Sequence, residues 1–309
     1  MKYWCVISGY MKIIANRKIF YILSGILVSA SLISILTFGL KFGIDFTGGS
    51  LLEVEYSGAR PDSEVIRKDL EPFNLGSVII QQTGSLGLIL RFRDVEEKTH
   101  QEIIASFKKT APALSEKRFD AIGPTIGQEL KRKSIYAIAI VLVLIVLYIA
   151  WAFRKVSKPV SSWKYGVVAV TALFHDVLIP TGLFSVLGRF AGAEVDTLFV
   201  TALLTILGFS VHDTIVVFDR VRENLRNARG QGVDFSAIVE QSVKETIVRS
   251  INTSFTVILS LLAVFLLGGE SVRYFTLTLI VGVIIGTYSS IFIASPLLVT
   301  WQLFSNRQK

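Results

Sequence analysis

The sequence predicts an α-helical polytopic membrane protein with one small α+β domain outside the membrane. Three observations predict it. Of 309 residues, 51% are hydrophobic and only 18% charged, and the mean hydropathy of +0.57 is one that soluble domains seldom reach. Six stretches attain the roughly 20 mostly apolar residues needed to cross a hydrocarbon core. Between the first two stretches lie residues 41–131, far more chain than a connection requires.

The six apolar stretches are 19–40, 135–153, 165–187, 197–218, 251–267 and 274–298. The first follows Lys12, Arg17 and Lys18 and contains Ser29 and Ala30, as a cleaved signal peptide would; its apolar run continues well past them, which predicts an uncleaved span. Basic residues set the orientation. Lys2, Lys12, Arg17 and Lys18 precede span one, Arg154, Lys155, Lys158 and Lys164 separate spans two and three, and Arg220, Arg222, Arg226 and Arg229 follow span four. These segments are expected in the cytoplasm, so both termini are too. The boundaries that follow are a cytoplasmic N-terminus at 1–18, the first transmembrane helix at 19–40, the external domain at 41–131, helices two to six within 132–302, and a cytoplasmic tail at 303–309. The same basic loops account for the net charge of +8 without a nucleic-acid partner. The lone Cys5 excludes an internal disulfide and leaves at most a juxtamembrane lipid attachment.

In the external domain, "SLLEVEY" alternates with period two, and "RPDSEVIRKDLEPF" starts a helix at Pro61 and Asp62 and stops it before Pro72. "SVIIQQT" and "LGLILRF" form a hairpin around Gly84 and Ser85, "DVEEKTHQEIIASFKKT" a second helix with a solvated His100, and "KRFDAIG" a last strand. The order βαββαβ predicts a ferredoxin-like sandwich. After span four, the cytoplasmic segment 219–247 contains Gly230 and Gly232, then Phe235, Ile238, Val239, Val243 and Ile247 at helical spacing. It reads either as an interfacial amphipathic helix or as a packing helix linking two spans.

Ionisable residues inside the spans are the candidate site. An ionised Asp at the centre of a membrane helix costs about 2.5–3.5 kcal/mol, so it normally faces a partner or water. Asp213 lies roughly 10 Å inside the boundary marked by Arg220, at 1.5 Å per residue. It is either a working acid or a neutral group tied to Ser210 one turn earlier. His212 falls on a stripe with Thr201, Thr205 and Gly208. Asp176 in "LFHDVLIP" sits near mid-membrane, and Pro180 four residues later frees its backbone carbonyl. Arg249 opens span five, with Asn252, Thr253, Thr256 and Ser260 on its side of the helix, a row expected to face the bundle interior. Pairing with Arg249 favours a charged Asp213 and desolvation a neutral one, the competition that a proton switch requires. Just after span one, "DFTGG" places Gly48 and Gly49 where the backbone needs unusual angles or close approach.

"GIDFTGGSLLEVEY", "FHDVLIPTGLFSVLG" and "GFSVHDTIVVFDRVREN" together resemble the SecD/SecF protein-export family of the resistance-nodulation-division superfamily. The resemblance implies that Asp213 stands for the family's span-four aspartate, Arg249 for the arginine of the next span and Asp176 for the span-three aspartate. With His212 they would form a proton relay, and Asp45, Phe46, Gly48 and Gly49 a membrane-junction motif. It implies no enzyme activity and no cofactor beyond protons as the coupling ion. It implies a bacterial or archaeal cytoplasmic membrane, with SecD, the SecYEG channel, YajC, membrane lipids and an unfolded preprotein as partners. Two positions depart from the pattern: the family usually has Asn at His212 and commonly Tyr at Phe209.

Two rival readings carry less. Half of a small-molecule efflux pump from the same superfamily would have a much larger external domain. An intramembrane aspartyl protease would need Asp176 and Asp213 to meet within a few ångströms, and neither "FHDV" nor "SVHDT" resembles the Gly-x-Gly-Asp pattern of such proteases.

Overall fold

The computed structural model describes residues 12–154, 161–228 and 233–307; Lys2, Cys5, Lys155, Lys158, Arg229, Gly230 and Gly232 lie outside these. The chain forms two compact units, one from Met1–Gly39, Ala137–Arg189 and Leu198–Lys309, the other from Leu40–Tyr136 and Phe190–Thr197.

Six helices are long and apolar enough to span a membrane. They are α1 (Arg17–Phe38), α5 (Pro124–Ala152), α6 (Ser162–Phe190), α7 (Thr197–Asn227), α8 (Phe235–Leu267), and a sixth built from α9 (Glu270–Ser289), a π-turn (Ser290–Ala294) and α10 (Ser295–Arg307). The third, fourth and sixth spans are mostly buried, while the first, second and fifth mostly face outward. Small residues let the helices approach closely. Any Cβ at Gly182 of α6 would run into Ser31 of α1, and one at Gly282 of α9 into Ile206 of α7. Ser34 donates to the Gly182 carbonyl at 3.0 Å, and Ser185 returns a bond to the Ser34 carbonyl at the same length.

The segment 219–247 is not a separate interfacial helix. Helices α7 and α8 both run past their apolar stretches into it. Their amphipathic residues Val221, Val239, Val243 and Ile247 bury against one another and against Ile13, Ile14 and Val217. Each apolar face therefore has a protein partner and does not need the headgroup layer, which is the packing alternative of the two the sequence allowed. Glu240 of α8 clamps the incoming chain by accepting the backbone N–H groups of Ile13 (3.0 Å) and Ile14 (2.7 Å).

In the external unit a short helix α2 (Ile44–Thr47) leads into β1 (Gly49–Glu55). Helix α3 (Ser63–Leu70), β2 (Ile79–Thr83), β3 (Gly87–Phe92), α4 (Glu97–Thr110) and β4 (Ser115–Ile122) follow. The antiparallel sheet has the order β2-β3-β1-β4. This is the connectivity of a βαββαβ sandwich. Alternation along β1 and β3 sends Leu52, Val54, Leu88, Leu90 and Phe92 to one face, where Ile66, Leu70, Ile103 and Phe107 of the two helices cover them. His100 belongs to that covered layer and is not solvated as its sequence context suggested. It shares a helix face with Ile103, Ile104 and Phe107, is 3% exposed, and stacks on Phe119 with ring centroids 3.7 Å apart. Its Nδ1 lies 3.1 Å from Glu97, and its Nε2 is 3.1 Å from Glu116 without hydrogen-bond alignment. Donation from the Gln101 amide, and then from His100, holds the Glu97 carboxyl below the usual range.

Residues Phe190–Thr197 complete this unit as a strap. The Val195 N–H donates to the Lys41 carbonyl at 2.7 Å, and the Gly43 N–H to the Val195 carbonyl at 2.9 Å. Glu194 lies 2.8 Å from Arg91 on β3 and 3.4 Å from Lys41. The Arg91 Nε–H is not aligned on the carboxylate, so that contact is ionic, and its Nη1 donates instead to Gln81 at 2.8 Å.

Candidate functional site

Helices α6, α7, α8 and the sixth span gather hydroxyls around two aspartates. Asp176 is completely buried on α6. It accepts from its neighbour His175 (Nδ1, 2.9 Å), from Ser210 of α7 (2.5 Å) and from Ser289 of α9 (2.7 Å). Both oxygens are thereby occupied, and one carboxylate ties three spans together. Ser210 thus serves Asp176, not Asp213 as the neutral alternative required.

Asp213 is also buried, at 6% exposure, but less completely bonded. Its Oδ1 accepts from Ser250 of α8 at 2.6 Å, while Oδ2 has no hydrogen-bond partner among the described residues. A buried carboxylate oxygen without a donor is rare in native proteins and costly to keep unless the group's task requires it. Among the described residues no direct ion pair joins Arg249 to it; the guanidinium is exposed and acts on the carboxylate only through space. Successive helix residues point about 100° apart, so the side chain beside Ser250 is turned away when Ser250 faces inward. The polar row Arg249, Asn252, Thr253, Thr256 and Ser260 is likewise exposed, contrary to the sequence expectation. The row that faces the interior is Ser242, Thr246, Ser250 and Ser254, whose small side chains fit between helices. His212 and its stripe, Thr201, Thr205 and Gly208, are exposed in the same way on α7.

The sixth span supplies the remaining hydroxyls. Ser289 reaches Asp176, and its neighbour Ser290 meets Thr214 of α7 at 2.8 Å. Ser254 meets Thr287 at 2.5 Å. The π-turn begins at Ser290, and such turns frequently occur where a helix must re-aim side chains at a functional site. A cavity of about 410 Å³ opens between α7 and α8, lined by Ile215 and Val216, within one turn of Asp213, and further along by Asp219, Arg220, Glu223, Glu245, Thr246 and Arg249. Arg220 is engaged there by Glu223 and Glu245.

The two aspartates thus predict different mutant behaviour. Asp176→Ala strands the Ser210 hydroxyl and the His175 imidazole and takes one of two acceptors from Ser289, a loss of about 3–5 kcal/mol for a buried charge network, so the chain should accumulate poorly in membranes. Asp176→Asn retains an acceptor and should be milder. Immunoblotting of membrane fractions checks the order, and equal abundance of all three forms would refute the tie.

The "DFTGG" residues lie within the external unit. Asp45 Oδ2 accepts the Thr197 N–H at 2.9 Å and its hydroxyl at 2.5 Å, anchoring the first residue of α7. Phe46 is buried, with its ring edge-on to Phe42. Gly48 and Gly49 have φ of +75° and +130°. A Cβ on Gly48 would lie 2.7 Å from Pro124 Cα, and one on Gly49 the same distance from the Phe92 carbonyl oxygen. The facing surface is "GPTIG" at the start of α5, where a Cβ on Gly127 would come 2.8 Å from the Gly48 nitrogen. Close backbone approach is therefore the reason for this glycine pair. Sequence reasoning missed Ser250, Ser289, Ser290, Thr197 and Gly127; of these only the small-residue spacing before span two was a visible signal.

These features define a class: a multi-pass membrane protein with one βαββαβ domain inserted after its first span and carboxylates buried among its helices. The family model of the protein export membrane protein SecD/SecF C-terminal region matches residues 102–303, and that of the SecD/SecF GG motif matches residues 33–59. The chain belongs to the SecD/SecF protein-export family. It is 42% identical over 301 residues to the protein translocase subunit SecF of Thermobaculum terrenum, covering 94% of this chain and 93% of that one. To the protein of the same name from Haemophilus influenzae it is 35% identical over 291 residues, covering 93% and 84%. Among solved structures it resembles SecDF, a translocon-associated membrane protein from Thermus thermophilus, with a TM-score of 0.81 and 31% identity. That match covers 94% of this chain and 38% of the SecDF chain, so this chain spans well under half of that protein.

Proposed function

We propose that this chain is an auxiliary, proton-coupled subunit of the Sec protein translocase that works with SecD to promote export of unfolded proteins. The observation that carries the proposal is the second oxygen of Asp213, buried and without a donor among the described residues while every oxygen of Asp176 is engaged. Such an oxygen is where a proton can be taken up and released at little cost to the fold. Protons are the only coupling species this requires. Asp213 is the group that titrates, Ser250 orients it, and Asp176 holds the helices around it.

His212 and Arg249 sit on outward-facing polar rows of adjacent spans. Polar rows on membrane helices are costly against lipid, which supports a second subunit, SecD, covering them and bringing Arg249 and His212 into the relay. The SecYEG channel, YajC and the preprotein complete the set of partners. The distribution of Lys and Arg supports a cytoplasmic membrane with both termini inside. The bonding of Asp176 and Asp213 to different serines, with no hydrogen bond between them, gives no support to an aspartyl protease. The test is export by membrane vesicles containing this chain and a SecD-like subunit, with the proton gradient imposed and then collapsed. Stimulation that disappears with the gradient is expected; export indifferent to it would remove the proposal.

A further inference from the structure

One basic cluster takes no part in the site above. Arg17 and Lys18 open helix α1, and with Tyr21 they face Thr300, Leu303 and Phe304 of α10 across a cavity of about 460 Å³. Both walls belong to the membrane unit, and the hydroxyls of Tyr21 and Thr300 join them at 3.0 Å. One Nη of Arg17 donates to the Ile14 carbonyl at 3.0 Å, which fixes the guanidinium, and among the described residues its other N–H groups remain for a ligand. Lys18 is exposed, and among the described residues no acidic side chain lines the cavity. Beside these two cations the surface turns apolar: Ile19, Ile22 and Ile26 of α1 and Phe304 of α10 are all more than half exposed.

Basic residues at a span end are ordinary, and alone they only snorkel to the headgroup layer. A walled cavity with two uncompensated cations, one a fixed fork suited to phosphate oxygens, is more than that. We propose that this cavity binds the phosphodiester headgroup of an anionic phospholipid, whose acyl chains lie along the exposed aliphatic row of α1. A free phosphate would satisfy the cations but not the apolar flank, so the lipid is the occupant that matches both halves of the surface.

The experiment is native mass spectrometry of the full chain in mild detergent, titrated separately with phosphatidylglycerol and with phosphatidylcholine of the same acyl chains. A further titration adds inorganic phosphate to the phosphatidylglycerol complex. Phosphatidylglycerol should be retained on the order of tenfold better than phosphatidylcholine. The Arg17→Gln, Lys18→Gln double variant should lose that preference, and Arg226→Gln, an exposed cation elsewhere, should keep it. If the double variant fails to accumulate, Lys18→Gln alone gives the same reading, because its side chain is exposed. Equal retention of the two lipids, a preference that survives the variants, or displacement by inorganic phosphate as effective as by added lipid would each overturn the proposal.

Discussion

Asp213→Asn is expected to remove the gradient-dependent part of export while leaving the subunit assembled in the membrane. The asparagine carbonyl can still accept from Ser250, as Oδ1 does at 2.6 Å, and the side chain has nearly the same volume, so packing around it is retained. What disappears is the oxygen proposed to exchange a proton. One charge moved through 100 mV is worth about 2.3 kcal/mol, enough to bias a two-state rearrangement roughly fiftyfold. Without it, the difference in export between energised and de-energised vesicles should fall by tenfold or more, while partner co-purification and membrane abundance stay unchanged. Asp213→Glu, still an acid, should recover part of the response. If the asparagine variant responds to the gradient as the parent does, Asp213 is not the coupling group.

Gly48→Ala should be the most damaging small substitution in the external unit. Gly48 has φ +75° and ψ +163°, a region essentially closed to residues with a side chain, and entry there costs about 1–3 kcal/mol. The new methyl would also press on the Pro124 backbone at 2.7 Å, adding about 1–3 kcal/mol of overpacking. Against a total stability of about 5–15 kcal/mol for a typical domain, the variant should show early unfolding of the external unit and rapid protease cleavage between spans one and two. Gly58→Ala, where a Cβ meets nothing within 4 Å, should behave as the parent. Equal protease resistance of the two variants would show that the close approach at Gly48 is not needed.

The number of spans and the βαββαβ domain were legible because length of apolar run and period-two alternation are local, strong signals. The ends of α7 and α8 were not, since both helices outlast their apolar stretches by burying Val221, Val239 and Val243 in a core of their own. That Asp213 is buried within its span could be read from its place in an apolar run. Its partner could not, because Ser250 and Arg249 are neighbours in sequence, and only tertiary packing decides which of them turns inward. The same limit misplaced the row from Asn252 to Ser260 and, in the external domain, His100, whose buried face is evident only once Ile103, Ile104 and Phe107 are seen to share it. Glycines at 48 and 49 announced close backbone approach, but the backbone they approach, at Pro124 and Gly127, became visible only in three dimensions. Asp45 and Thr197 are 152 positions apart, and no sequence pattern joins them.

The most direct measurement is infrared difference spectroscopy of the reconstituted complex, recorded as the proton gradient is imposed and released. A protonated-carboxyl band that rises and falls with the gradient, and is missing in Asp213→Asn but present in Asp176→Asn, is the predicted result. A spectrum with no carboxyl signal that follows the gradient, or one that survives in Asp213→Asn, would contradict the assignment of proton exchange to this side chain.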